Sequence, residues 1–533
     1  MSQQKNKLVL AATLALISVF LLGGVSFTLF PSQVSLKQHV QVEQFLPASS
    51  PTAPPILEYS VTSNTSSANN SAYAYQIAGF YFAYQLPGIA IEKDGSINST
   101  TAPILRDVNT YTLTGDIVNQ TIVVNCDNII IDGAGHTLEG FYNGTNVYAD
   151  EAISLQNVQN VTVENLDIDS FLQPIQAQDS LNLQIEENNF TNCAPAPCVA
   201  INLNSCNDSV IERNTLQGIV DIWSPLTHNV TMNTISEGIQ IYQSSCDSIT
   251  GNTLRNLCEC ILVEDSNSSI ISNNIIVNGG IGVYDEGGSA TILENSIYNV
   301  TDTGLWISGQ DSNSTIVSNN VIANGTGGIV AGGNATILGN SIYNMTGAGV
   351  WISGPDNIIY ENTIENAAWG VWLATGSYSE GSDYYYITGL NPGQDNIICE
   401  NTIENVACGV CLDTGNFSGT VFYHNNFINN TQDLKLLDPT TAPVQWDYGK
   451  EGNYWSNYNG TSRNGDGIGD TPFSLGGNNT DFYPLMQPYF AQSSVTDYST
   501  GRLLFMAALI VAVIGAAALL FLSVKSKFNA KRN

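Results

Sequence analysis

Three sets of residues in this chain have types and spacings suited to chemistry. The stretch Asn464-Gly465-Asp466-Gly467-Ile468-Gly469-Asp470 sets oxygen-bearing side chains at alternate positions with glycine between them. That pattern suits a hard cation such as calcium, its shell completed by a backbone carbonyl and water. Asn464, Asp466 and Asp470 are the expected ligands, with Asp481 as an addition; an Asp/Gly turn needing no metal fits the same residues. The phrases Gly304-Leu305-Trp306-Ile307, Gly349-Val350-Trp351-Ile352 and Gly370-Val371-Trp372-Leu373 repeat a tryptophan two residues after a glycine. Flat aromatic faces of this kind are what sugar rings stack on. Among ten cysteines, Cys193-Ala-Pro-Ala-Pro-Cys198 closes a short loop and is the best disulfide candidate, whereas Cys206 and Cys246 fall two repeats apart, too far to bridge.

The elements that must position these residues announce themselves by repetition. Thr291-Ile-Leu-Glu-Asn-Ser-Ile297 returns as Thr336-Ile-Leu-Gly-Asn-Ser-Ile342 and Ile358-Ile-Tyr-Glu-Asn-Thr-Ile364, with Asn at the centre. The central residues read as Asn188, Asn214, Asn233, Asn252, Asn273, Asn295, Asn319, Asn340, Asn362, Asn401 and Asn425. Three residues before and two after each, the side chain is apolar. A second short run follows, opening on a small residue and alternating with period two. These are β-strands, and a repeat of this length is the mark of a solenoid. Asn and Gly at the corners, with about two strands per repeat, fit a parallel β-helix of about thirteen coils, on the order of 60 Å long at the spacing of paired strands. The Asn column needs no ligand, since Asn tolerates a left-handed backbone and can bond its copy one coil away.

This frame orients the tryptophans. If the first and third residues after the Gly corner face in, the second faces out, and the outward column reads Gln240, Leu262, Gly282, Trp306, Val330, Trp351, Trp372 and Cys411. Three exposed Trp on one sheet form a carbohydrate-binding candidate, with Tyr384 and Tyr385 of the inserted loop 374–394 standing beside them. The competing expectation is that the loop covers the rings and makes a local hydrophobic cluster. Acidic pairs such as Asp285-Glu286 or Asp167 with Asp169 could serve a hydrolase, and Arg213 or Arg255 a lyase, but no constellation repeats and no catalytic residue is assigned.

With 15 Lys and Arg against 47 Asp and Glu, the chain carries a formal charge of −32. Nucleic acid is excluded as a partner, because phosphate binding needs clustered basic residues. Residues 1–30 begin with Lys5 and Lys7 and continue apolar from Leu8 to Phe30, a signal anchor or signal peptide. Residues 31–85 read as a Pro- and Ser-rich linker. Leu503 to Val524 is an apolar run followed by Lys525, Lys527, Lys531 and Arg532, so 502–525 is expected to span the membrane with the tail 526–533 cytoplasmic and the bulk of the chain extracellular. Sequons such as Asn98, Asn299 and Asn344 suit glycosylation of an exported chain.

Asp127-Asn-Ile-Ile-Ile-Asp-Gly-Ala-Gly-His-Thr-Leu138, Gly452-Asn-Tyr-Trp-Ser456, Asn464-Gly-Asp-Gly-Ile-Gly-Asp-Thr-Pro472 and Asp481-Phe-Tyr-Pro-Leu485 resemble the NosD-type right-handed β-helix family over about residues 89–486. The resemblance implies an all-β, right-handed parallel β-helix over 86–440 and a cap over 441–486; residues 487–501 read as a juxtamembrane linker, and the expected fold is flanked by terminal transmembrane helices. It also implies ties to copper-site assembly and to sugar-binding or sugar-hydrolysing relatives. Copper wants Met, Cys or imidazole ligands, and the four His (His39, His136, His228 and His424) are dispersed, so copper handling ranks below the other readings. The sequence thus favours a membrane-anchored, glycosylated, structural or adhesive rod that contacts polysaccharide or other surface proteins. A polysaccharide lyase or hydrolase is the alternative, and a copper-handling accessory protein the second.

Overall fold

The computed structural model describes residues 82–84, 88–141, 147–149, 151–193, 198–255, 259–308, 315–374, 378–380, 383–385 and 394–490. The apolar segments 8–30 and 503–524 and the tail 526–533 lie outside the described residues. Among the described residues no helix is long and apolar enough to cross a membrane. Phe82–Tyr84, inside the stretch read as linker, pairs in parallel with Val147–Ala149.

Every regular element in the described residues is a strand, and the strands stack into three parallel ladders over about thirteen turns. Ladder A runs from Gly88–Ile91 to Gln432–Leu436, ladder B from Thr110–Leu113 to Val421–Tyr423, and ladder C from Ile117–Val118 to Tyr454–Trp455. Ile104–Asp107 folds back antiparallel on Thr110–Leu113 and closes the first coil of ladder B. Inward columns are Ile, Leu and Val, such as Ile211, Val230, Ile249 and Ile271 on ladder B, all at most 1 % exposed. Each such side chain contributes about 1.5–3 kcal/mol on burial. At the far end Trp446, Trp455, Phe422 and Phe427 fill the last coil, with the Phe427 and Trp455 rings stacked at 4.2 Å.

The corner between ladders B and C holds a buried asparagine ladder. Asn188, Asn214, Asn233, Asn252, Asn274, Asn295, Asn320, Asn340, Asn362, Asn401, Asn425 and Asn453 succeed one another. Each gives its backbone N–H and, up to Asn425, its Nδ2 to the Oδ1 of the next, as in Asn274 to Asn295 at 3.0 and 2.9 Å. Each Nδ2 also reaches a carbonyl of the preceding coil, as in Asn295 to Ile271 at 2.8 Å. A corner that would otherwise bury unpaired amides is therefore fully paired.

Two members differ from the sequence reading. Asn273 and Asn319 are not in the ladder; Asn274 and Asn320 are, and the inward residues are Ile271, Ile276, Val317 and Ile322 instead of Ile270, Ile275, Ile316 and Val321. Ile270 and Ile275 are exposed in consequence. A slip of one residue moves every side chain to the other face of a strand. The left-handed backbone also belongs elsewhere: it is the residue before each ladder Asn up to Asn425, such as Glu187 (φ 58°), Arg213 (56°) and Glu294 (56°), that has positive φ.

Glycine sets the start of the later ladder A strands. A Cβ at Gly328 would come within 2.2 Å of the Gly349 carbonyl oxygen, and the same crowding recurs at Gly282, Gly304, Gly349 and Gly370. Only glycine permits coils to approach this closely at the bend.

Candidate functional site

Ladder A carries one outward column through thirteen coils, and register fixes its members. Ser154, Gln176, Asn202, Asp221 and Gln240 stand side by side, followed by Leu262, Tyr284, Trp306, Val330, Trp351, Trp372 and Cys411, and then Lys435. Neighbours are one strand spacing apart, about 4.8 Å. Tyr284 takes the place expected for Gly282, because Gly282 is itself the corner.

The tryptophans occupy the outward column as expected but are not exposed. Trp306, Trp351 and Trp372 are 5 %, 5 % and 8 % exposed and form a second hydrophobic cluster with Ile281, Val330, Ala348 and Cys411. The Trp351 and Trp372 rings stack at 5.3 Å, and Trp369 tilts against Trp372 at 4.8 Å. A depression of about 20 Å³ among Asp302, Thr303, Trp306, Trp351 and Trp372 is no larger than a water molecule. Outward direction thus does not deliver open rings here. Tyr384 and Tyr385 lie on a short hairpin pairing Asp383–Tyr385 with Tyr378–Glu380; their side chains fall outside the described ones.

The exposed aromatic of ladder A is one that the Gly-corner reading passed over. Trp223, at the end of the strand Ile219–Trp223, is 44 % exposed and stacks on Tyr242 of the next coil at 4.1 Å, with 16° between ring planes. Alternation from the inward Val220 and Ile222 puts both Asp221 and Trp223 outside, which is the signal that could have found them. The Trp223 side chain hydrogen-bonds the Asp221 carboxylate, which opposes but does not cancel the effect of burial, and Asp221 is pushed up to about 6. Gln176 Oε1, Asn202 Oδ1 and Asp221 Oδ1 are shielded from water with no hydrogen-bond partner among the described residues. A flat ring beside a row of unmatched acceptors is an arrangement for gripping a hydroxyl-rich ligand.

The acidic pairs do not converge. Asp285 is buried, takes a hydrogen bond from Thr315 Oγ1 at 2.9 Å and is pushed by burial up to about 6, while Glu286 faces solvent. Asp167 and Asp169 flank inward Ile168, and their oxygens accept from Asn189, Thr191 and Asn192. Arg213 is held by Glu186, Glu187 and Glu212, and Arg255 ends a ladder C strand, Thr253–Arg255.

In the cap, Asn464 Nδ2 donates to Asp466 Oδ2 at 2.7 Å, Asp466 Oδ1 accepts from the Ile468 N–H, and Asp470 Oδ2 accepts from the Arg463 N–H. Asp481, expected as a fourth ligand, is elsewhere. It is fully buried and receives the Asn453 N–H and Trp455 Nε1–H at 2.8 Å each, so it terminates the asparagine ladder. Burial pushes it up to about 6 against those donors. Cys193 and Cys198 form a disulfide, Cα to Cα 5.9 Å, while Cys206 and Cys246 are free.

Among the described residues no three His, Cys, Asp or Glu side chains group to hold a metal ion. His228 is buried with its ring nitrogens on Asp247 and the Cys206 carbonyl, and His424 pairs with Glu451 at 2.6 Å. His136 contacts Asp116 at the other end of the solenoid.

Comparison with known proteins matches residues 127–304 and 387–460 to the family described as periplasmic copper-binding protein (NosD), and residues 259–384 to the right-handed β-helix region family. No curated protein matches the chain. Among solved structures, an alginate lyase in complex with G6 aligns at 13 % identity and TM-score 0.40, over 61 % of this chain and 81 % of its own. A double mutant of a periplasmic alginate epimerase aligns at 12 % identity and TM-score 0.35, over 67 % and 82 %. Bacteriophage CBA120 tailspike protein 3 aligns at 14 % identity and TM-score 0.36, over 62 % and 55 %.

Proposed function

Because the chain belongs to the NosD-type right-handed parallel β-helix family, we propose that it is a surface-displayed rod that binds polysaccharide along the polar part of ladder A. The observation that carries this reading is the exposed Trp223–Tyr242 stack beside the acceptor row Gln176, Asn202 and Asp221. In this reading Trp306, Trp351 and Trp372 stiffen the neighbouring sheet, the segments 8–30 and 503–524 anchor the rod to a membrane, and exposed sequons such as Asn299 and Asn344 carry glycans. Calcium at Asn464, Asp466 and Asp470 is an accessory proposal, and nothing in the sugar contact depends on it.

Binding without cleavage is favoured, because Asp221 is the one carboxylate on the outward column from Ser154 to Gln240, and glycoside hydrolysis uses two carboxylates across the bond. The test is a glycan array probed with the full chain in detergent micelles, each bound sugar then being checked for cleavage by mass spectrometry. Trp223→Ala should weaken binding at least about tenfold, a loss of roughly 1.4 kcal/mol, and Trp223→Phe should retain most of it. Cleavage products would overturn the binding-only reading; unchanged binding in Trp223→Ala would remove this face.

A further inference from the structure

Resting on the binding face just proposed, we infer that its ligand is an uncharged, hydroxyl-bearing polysaccharide and that polyuronates are excluded. Two independent features of the chain carry the choice.

The first is the supply of cations. Between Arg106 and Lys435 the sequence has just two basic residues besides histidine, Arg213 and Arg255. Arg213 lies on the turn after ladder B and is already held by three glutamates. Arg255 closes a strand of ladder C. Ladder A therefore offers no guanidinium or ammonium from its first strand until Lys435, nine coils beyond Asp221. Recognition of a carboxylated sugar depends on such groups, Arg above all for its bidentate fit. Asp221 on the column, with Glu264 and Glu286 on the coils that follow Tyr242, adds charge of the wrong sign for a polyanion.

The second is the sense of the unmatched hydrogen bonds. Gln176 Oε1, Asn202 Oδ1 and Asp221 Oδ1 are acceptors on three successive coils, so the ligand must bring donors at the coil spacing. Sugar hydroxyls, which neutral glycans and polyuronates share, do this, while the carboxylate that a uronate adds is an acceptor and cannot. The side chains are half-buried, and a chain lying along the rod axis with one ring seated on Trp223 meets their oxygens once these turn outward.

The experiment is a titration of the full chain in micelles with cello-oligosaccharide, laminarin and mannan on one side and alginate and polygalacturonate on the other, at low and at 0.5 M salt. At least one neutral glycan should bind, at least tenfold more tightly than either polyuronate and with little dependence on salt. Gln240→Lys, which places a cation next to Asp221, should narrow that ratio by raising polyuronate affinity, with the far-ultraviolet spectrum confirming the fold. Polyuronate binding equal to or tighter than neutral binding overturns this inference and leaves the proposed face standing. Binding of none of these glycans overturns both.

Discussion

The polar and aromatic parts of the ladder A column share backbone position, direction and coil spacing, yet they are different kinds of surface. From Ser154 to Gln240 the outward residues are hydrophilic, and Gln176, Asn202 and Asp221 are half-buried with an unmatched oxygen each; from Trp306 to Cys411 they are apolar and packed into a cluster with Trp351 and Trp372 at its centre. The aromatic part resembles a core that happens to lie outside the solenoid. The lesson is that a strand's period tells which way a side chain leaves the sheet, while what it meets there decides between a binding surface and a structural one.

The sharpest way to break this contrast is to remove one aromatic from each part. Trp351→Ala should cost about 3–5 kcal/mol, as for a buried aromatic, and Trp223→Ala less than about 1 kcal/mol, as for a surface residue. Urea denaturation of both variants reads the difference, and equal costs would erase the distinction. Next, the asparagine ladder runs beneath both parts. Asn233→Ala strands the N–H of Asn214 and removes one acceptor of its Nδ2, which keeps the Ile185 carbonyl, and Asn362→Ala does the same to Asn340, whose Nδ2 keeps the Val317 carbonyl. Each should therefore destabilise by about 2–3 kcal/mol, and a large disparity between them would mean that the parts differ inside as well as outside.

A smaller effect comes from titration. Burial raises Asp221 from an ordinary value near 3.8 to about 6, so the folded chain holds this proton more tightly than the unfolded one. The stability it contributes is complete below about pH 4 and is lost as pH climbs through about 6. Asp221→Asn should remove that component, so the stability gap between variant and wild type changes between pH 4 and 7.5 and is flat above. A gap constant across this range would place Asp221 in water. Smallest of all, excess chelator should lower the stability of residues 445–486 by under about 1 kcal/mol, since the Asp466 and Asp470 oxygens already have backbone donors; hydrogen exchange over the cap measures it.

Much of the architecture was legible because alternation and the Asn repeat are direct imprints of strand geometry. The register failed at Asn273-Asn274 and Asn319-Asn320 for a physical reason. Ile270-Ile271, Ile275-Ile276, Ile316-Val317 and Val321-Ile322 are apolar doublets as well, so either phase satisfies the pattern and only the stacked amides choose. The disulfide between Cys193 and Cys198 was readable from loop length. A hydrophobic cluster of Trp306, Trp351 and Trp372 was one of two expectations the sequence left open, because choosing it over an exposed face needs contacts across several coils. Trp223 escaped because its strand lacks the glycine-tryptophan phrase, although the alternation around it was intact. Asp481 was misplaced by its nearness in sequence to the Asp/Gly loop, when its role is to receive the last link of a chain of amides that begins nearly three hundred residues earlier.

That chain of amides begins only at Asn188, where the Leu166 N–H is its first donor, and it closes on Asp481, which the Trp455 indole also holds. Under tension along the rod axis its links are loaded in series, one coil at a time. A rod pulled at its two ends should therefore peel, coil after coil, with least resistance in the coils before Asn188. The C-terminal coils, where amide, carboxylate and indole meet, would be the last to let go.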